Sequence, residues 1–147
     1  ARPDVIKGIM AVQSQTTSAT SSISQKAAAA ALRGPQHDME VMVEEFKRRK
    51  DYVVKRLNGI PGIVCPDVKG AFYVYPDVQA YLGKSFGDPR IETAADLCQY
   101  LLAEALVSTV PGEAYNVPGK IRSSYANSME NLEKALDRVE KALEALH

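Results

Sequence analysis

Apolar residues recur every three to four positions over much of the chain, which predicts helices, and crowd into short runs in its middle, which predicts strands. Ile9 to Thr17 begins with the run Ile9-Met10-Ala11-Val12, which suits a short strand or the end of a helix equally well. Residues 18–22, Ser-Ala-Thr-Ser-Ser, read as a loop or as a helix start with several possible caps. Alanines at 27–31 then predict a helix over 23–32, stopped by Gly34-Pro35. A long helix is expected from Pro35 to Leu57, with Met39, Met42, Val43, Phe46, Val53, Val54 and Leu57 on one stripe. At 1.5 Å per residue it would be roughly 33 Å long, the length of a helix that runs along a domain or between two.

The period changes after Asn58-Gly59. Ile63-Val64-Cys65 and Gly70 to Pro76 read as two strands. Tyr81 to Asp88 is a polar loop, and Thr93-Ala-Ala-Asp96 resembles a capping box that opens a helix with Leu97, Leu101 and Ala105 inward and Ala94, Cys98 and Leu102 beside them. Val107 to Val110 and Lys120 to Ala126 are two further strands. Ser128 caps a last helix whose stripe is Met129, Leu132, Leu136, Val139, Leu143 and Leu146, with Glu130–Lys134 and Asp137–Lys141 as outer pairs. A small sheet with helices packed against it is an α+β fold.

Charge and cysteine content narrow the function classes. Eighteen Lys+Arg balance eighteen Asp+Glu, so neither a nucleic acid nor an anionic membrane surface is expected as partner. No apolar run approaches the roughly 20 residues of a spanning helix, and the first residues lack the apolar core of a signal peptide. Cys65 and Cys98 have no CxxC or histidine partner nearby, so no metal is expected, both thiols read as inert, and a reducing cytoplasm is the default location. The basic run 47–50 follows Glu40, Glu44 and Glu45 by one turn and reads as a solvated helix face. His37 reads as a solvated first-turn residue. No phosphate-binding glycine loop, HExxH or GxSxG occurs.

One residue carries candidate chemistry. Arg122 lies inside a strand-like run in which 122, 124 and 126 share one face and 121, 123 and 125 the other. Beside small serines and an alanine it suits a cleft, where its planar fork would take a carboxylate or phosphate through two parallel bonds. It also suits the solvent face of an edge strand, and the pattern alone favours that commoner placement.

Four motifs together resemble a known family. Ser14-Gln-Thr-Thr-Ser18 followed by Ser22-Ile-Ser-Gln25, Lys69-Gly-Ala-Phe-Tyr73, Val110-Pro-Gly-Glu-Ala-Tyr115 and Ile121-Arg-Ser-Ser-Tyr-Ala126 before Ser128 stand in the order of the SQTTSNPTSIAQ, GAFY, VPGxxF and RxSYAxS segments of class I pyridoxal-phosphate aminotransferases. The resemblance is to the C-terminal portion of the aspartate aminotransferase type, fold type I. It implies that residues 1–34 are a remnant of the large cofactor-binding domain and 35–147 a long inter-domain helix plus the small domain. It implies an amino-group exchange between an amino acid and a 2-oxo acid, with pyridoxal 5'-phosphate as the electron sink. It assigns Arg122 to the substrate carboxylate. It places Ser14, Gln15, Thr16, Thr17 and Ser18 near a dimer interface and the edge of an active site, so a homodimer is the expected assembly.

The lysine that holds the cofactor as a Schiff base lies upstream in the family, and no lysine here has its context. The expectation is a fragment that binds no cofactor and is inactive alone, with an isolated non-catalytic or self-associating α+β module as the alternative. Three departures stand out: Ala19-Thr20 where the family has Asn-Pro, Asn116 where it has glycine, and Ser123 where it has an apolar residue. Asn tolerates positive φ, whereas a buried Ser123 hydroxyl would need a partner.

Overall fold

A computed structural model describes residues 2–17, 20–87 and 90–147. Two compact units divide the chain, Ala1–Glu40 and Val41–His147, and the boundary falls one turn into the third helix.

The first unit holds α1 (Pro3–Thr16), α2 (Ser22–Arg33) and the first turn of α3 (His37–Gly59). Of the two forms open to Ile9–Thr17, the helix is the one taken, through Thr16. Pro3 opens it with a pre-set φ, and Asp4 in its first turn complements the helix dipole while pairing with Arg2 at 2.7 Å. Alanines carry α2, and its end closes through the Gly34 N–H on the Ala30 carbonyl at 2.8 Å. Neither helix contains a buried residue, and Ile23 and Leu32 are each 81% exposed. The expected loop or helix start at 18–22 becomes Ser21 and the first turn of α2 at its far end, while Ser18 and Ala19 lie outside the described residues.

The second unit is built around a three-stranded antiparallel sheet of order β1–β3–β2, with β1 Tyr73–Val74, β2 Val110–Pro111 and β3 Ile121–Ser124. Tyr73 pairs with Ser124 and Val74 with Ser123; Val110 pairs with Arg122 and Pro111 with Ile121. The strands are shorter than the apolar runs predicted. Pro76 and Pro111 have no N–H to give a ladder, and Val64 and Asp77 form only an isolated bridge. Val107–Thr109 is irregular: Leu106 takes φ +55°, and the Val107 N–H folds back to the Leu101 carbonyl at 3.1 Å to close the preceding helix.

Helices enclose this sheet. α4 (Ala94–Glu104) carries the predicted capping box between Thr93 and Asp96, and Ser128 caps α5 (Met129–Glu144) on the Asn131 N–H. The core gathers Val53 and Leu57 of α3, Leu97 and Leu101 of α4, Val74, Ile121 and Tyr125 at the sheet, and Leu132, Leu136, Val139 and Leu143 of α5. Asn58 ties the end of α3 to Cys65, donating to its carbonyl at 2.8 Å and accepting its N–H at 2.9 Å.

Three details differ from the sequence pattern. Only Val53 and Leu57 of the α3 stripe are buried; Met39, Met42 and Val43 are exposed. Leu102 is exposed too. Asp137 pairs with Arg56 of α3, not with Lys141, and Glu140 joins the same guanidinium at 3.0 Å; Glu130–Lys134 forms as expected at 2.6 Å. A guanidinium reaching across from another helix wins over a same-helix neighbour because two carboxylates share it.

The Ser123 hydroxyl is not sealed in the core. Ser123 is half-buried and lines a cavity of about 560 Å³ between β3, α3 and α5, with Leu57, Ile121, Leu132 and Leu136 among its walls. Among the described residues no buried side-chain polar atom lacks a partner. No helix among them is long and apolar enough to cross a membrane, and no group of three or more His, Cys, Asp or Glu gathers as a metal site would need.

Candidate functional site

Arg122 sits in the central strand, which removes the edge-strand placement. β1 flanks β3 on one side and β2 on the other. The register puts Tyr73 of β1 opposite Ser124, on the sheet face that Arg122 shares. Tyr115 comes from the turn that follows β2. One ring therefore comes from β1 and one from the turn after β2: the guanidinium carbon lies 4.5 Å from the Tyr73 ring centroid and 4.4 Å from that of Tyr115. Among the described residues no carboxylate or carbonyl takes its N–H donors, and the side chain is half-buried. A guanidinium held against two rings, with no carboxylate or carbonyl on its donors among the described residues, can receive a carboxylate through two parallel bonds.

Local sequence explains both rings. Gly112 starts the turn after β2. A Cβ there would lie 2.0 Å from the Val117 carbonyl oxygen and 2.7 Å from that of Lys120, so only glycine lets the turn close this tightly. The turn then runs as a 3₁₀ helix, Gly112–Tyr115, and is ended by Asn116 at φ +57°, ψ +33°, the conformation its side chain tolerates. Glu113, the carboxylate nearest in the turn, is engaged elsewhere, accepting the Ala94 N–H at the start of α4 at 3.2 Å. On the other flank Ala71 adopts φ +58° just before Phe72-Tyr73. Buried Tyr125, 3% exposed, holds that bend: its hydroxyl donates to the Ala71 carbonyl at 2.7 Å and its N–H to that of Phe72 at 2.9 Å. Phe72 leans on Tyr73 at 4.5 Å and Tyr75 meets Tyr115 edge-on at 6.3 Å.

Sequence reasoning selected Arg122 and passed over its two tyrosines as partners. The available signal was strand parity, but using it required the register of β1 against β3, which the stretch between them, with α4 and β2 in it, hides.

Ser14, Gln15, Thr16 and Thr17 lie at the C-terminal end of α1, all exposed. The Ser14 and Thr16 hydroxyls are spent on the α1 carbonyls of Ala11 (2.8 Å) and Val12 (2.9 Å). They belong to the first unit and Arg122 to the second. Ser18, named with them, lies outside the described residues.

The family resemblance implies pyridoxal phosphate in the complete enzyme. A lysine that bonds to the cofactor must present a neutral amine. Lys50, largely enclosed, is held as a cation by Asp67 and Asp51 at 2.8 and 2.9 Å, which raise its pKa further above the ordinary lysine range. Lys84 lies over the Tyr81 ring at 5.2 Å. The thiols are equally unsuited to nucleophilic work. Burial pushes Cys65 up to about 11 and raises Cys98, which also accepts the Thr109 hydroxyl at 3.1 Å. Two arginines of the basic run on α3 are paired locally: Glu45 takes Arg48 at 2.8 Å and Arg49 at 2.7 Å, and these two cations hold its carboxyl down to about 2.

Comparison with known proteins places this geometry. The sequence model of the aminotransferase class I and II family matches residues 1–139. The aspartate aminotransferase of Rhizobium meliloti (strain 1021) is 44% identical over 144 residues, covering 97% of this chain and 35% of that protein. The aspartate/prephenate aminotransferase of Nitrosomonas europaea is 38% identical over 141 residues, covering 95% of this chain and 36% of its own length. Among solved structures, the aspartate aminotransferase from Rhizobium meliloti superposes with a TM-score of 0.83 at 43% identity, over 98% of this chain and 36% of that one. The alanine aminotransferase from Pyrococcus furiosus reaches 0.71 at 32% identity, over 80% of this chain and 28% of that one. The chain thus spans about a third of the length of the relatives it matches.

Proposed function

The chain belongs to the aminotransferase class I and II family, and from that premise we propose that it supplies the carboxylate grip of a pyridoxal-phosphate-dependent aminotransferase. The reaction exchanges an amino group between an amino acid and a 2-oxo acid. Both carry a carboxylate beside the reacting carbon, so one fixed arginine serves both half-reactions. The observation that carries the reading is Arg122, with one ring against it from β1 and one from the turn after β2, and no carboxylate or carbonyl on its donors among the described residues. A bidentate pair there fixes both position and orientation of the bound acid, which a point charge does not.

In this reading residues 1–34 belong with a large cofactor-binding domain, and 35–147 form the long helix and small domain. Cofactor attachment and α-proton transfer lie outside these residues, so the chain alone is inactive and the enzyme is a cytoplasmic homodimer. A self-associating module is the second reading. It is favoured by the exposed apolar residues of α1 and α2, with Met10 at 64%, Val12 at 65% and Ile23 at 81% exposure.

Titrating L-aspartate into the chain and following the Arg122 Nε–H resonance tests the grip. A saturable shift that Arg122→Lys abolishes is expected. In a chimera carrying the rest of the Rhizobium meliloti enzyme, Arg122→Lys should lower kcat/KM roughly 30- to 1000-fold, from the loss of about 2–4 kcal/mol of transition-state binding. An unchanged kcat/KM removes Arg122 from the site. Borohydride reduction of the chain with pyridoxal phosphate should leave no single lysine modified; stoichiometric labelling of one lysine would overturn the assignment of cofactor attachment to other residues.

A further inference from the structure

We infer that Tyr73 and Tyr115 are positioning residues: they clamp the Arg122 guanidinium from its two flanks and so fix the plane in which a carboxylate is received. The inference rests on the carboxylate reading of Arg122 and adds what orients it. An arginine in a cleft is ordinarily oriented by an acidic or carbonyl partner, which then competes with the ligand for the same N–H donors. Here no such partner takes the guanidinium among the described residues. What lies against it instead are two ring faces at 4.5 and 4.4 Å, one from β1 and one from the turn after β2.

Ring faces attract a guanidinium through their quadrupole without consuming a hydrogen-bond donor. Orientation and binding capacity are thereby separated, and the fork is held with its donors free of any partner among the described residues. The rings are themselves held. Tyr73 rests against Phe72 at 4.5 Å, and Tyr115 is met edge-on by Tyr75 at 6.3 Å. A glycine with no room for a side chain, Gly112, sets the turn that delivers Tyr115, and the Tyr125 hydroxyl holds the bend that delivers Tyr73. The attraction needs an aromatic face and not a hydroxyl, so phenylalanine should replace either tyrosine without loss.

The experiment compares the wild-type chain with Tyr73→Phe, Tyr115→Phe, Tyr73→Leu and Tyr115→Leu by NMR. The ligand-free readout is the Arg122 Nε–H resonance, which two flanking rings move upfield by ring current. The second readout is L-aspartate affinity, and a thermal melt of each variant separates loss of the clamp from loss of the fold. The phenylalanine variants should keep the upfield shift and the wild-type affinity. The leucine variants should lose the shift in part and bind about tenfold more weakly per ring removed, with melts close to wild type for Tyr115→Leu, a residue 44% exposed.

Leucine variants that bind aspartate as wild type does would overturn the clamp, as would phenylalanine variants that fail like leucine ones. If the wild-type chain shows the ring-current shift yet binds no aspartate, the carboxylate reading fails. The clamp is then judged on the ligand-free shift alone: retained in phenylalanine and lost in leucine variants it stands, otherwise it falls.

Discussion

Tyr125 and Ala71 form the joint that aims Tyr73, and its energetics can be worked from the geometry. Ala71 has φ +58°, a left-handed conformation that costs an L-residue about 1–2 kcal/mol. The bend persists because the Tyr125 hydroxyl donates to its carbonyl at 2.7 Å from a ring only 3% exposed. Tyr125→Phe keeps the ring, including its edge contact with Phe46 at 6.2 Å, and deletes the donor. Ala71 is exposed, so water can reach the abandoned carbonyl, and the loss should be that of one net hydrogen bond, about 1 kcal/mol. Ala71→Gly acts in the opposite direction. It relieves the backbone penalty and adds the glycine entropy cost of about 0.5–1 kcal/mol, for a net gain of roughly 0.5–1 kcal/mol. Tyrosine fluorescence in a urea titration reads both. The chain has seven tyrosines and no tryptophan, and all seven fall within Val41–His147, so the signal reports that unit alone. The midpoint should fall for Tyr125→Phe and rise for Ala71→Gly with the slope unchanged. A destabilised Ala71→Gly would refute the strain argument, and an unmoved Tyr125→Phe would refute the role of the hydroxyl.

Other expectations follow from burial and close contact. Leu97 is fully buried on α4, so Leu97→Ala should cost about 2–5 kcal/mol, whereas Leu102→Ala on the exposed side of the same helix should change stability by less than about 0.5 kcal/mol; equal effects in urea titrations would contradict the assigned faces. Gly112→Ala forces a Cβ onto two carbonyl oxygens and should cost about 2 kcal/mol or more, while erasing the ring-current shift at Arg122; a neutral result would mean the turn is looser than described. Cys65 should resist thiol reagents at pH 8 until the chain unfolds. Its folded pKa of about 11 lies above the ordinary 9.0, so the folded state holds the proton more tightly. The resulting stability, about 2–3 kcal/mol at most, is complete below pH 9 and lost as pH rises through 11. Cys65→Ala should flatten that alkaline decline relative to wild type, and parallel pH curves would count against it.

The helices were legible because their signals are local. A capping box at Thr93–Asp96, a serine cap at Ser128 and the α5 stripe act over one or two turns, and the structure has each of them. The strands were overlong in prospect because an apolar run reports burial, not pairing. Ile63–Cys65 is an apolar run with Ile63 and Cys65 buried, yet it forms only an isolated bridge, and the left-handed Leu106 leaves Val107–Thr109 no ladder. The α3 stripe failed differently. Met39, Met42 and Val43 keep helical spacing but are exposed, since periodicity identifies a face made to be covered without naming the cover.

The same distinction governs the site. Alternation along 121–126 assigned Arg122 to a face, and that assignment needs only the chain's own pleat. Whether that face is a solvent edge or a prepared cleft depends on which strands lie beside it, and two facts about neighbours decide it. β3 is central, and one tyrosine comes from β1 and one from the turn after β2. Neither fact is local: Tyr73 sits on β1, aimed by a bend at Ala71, and Tyr115 arrives through a turn whose tightness is set by what surrounds Gly112. A motif can therefore mark a binding arginine long before it shows how the arginine is held. The holding is where altering a residue remote from the ligand, such as Gly112 or Tyr125, should change the grip without touching a single donor.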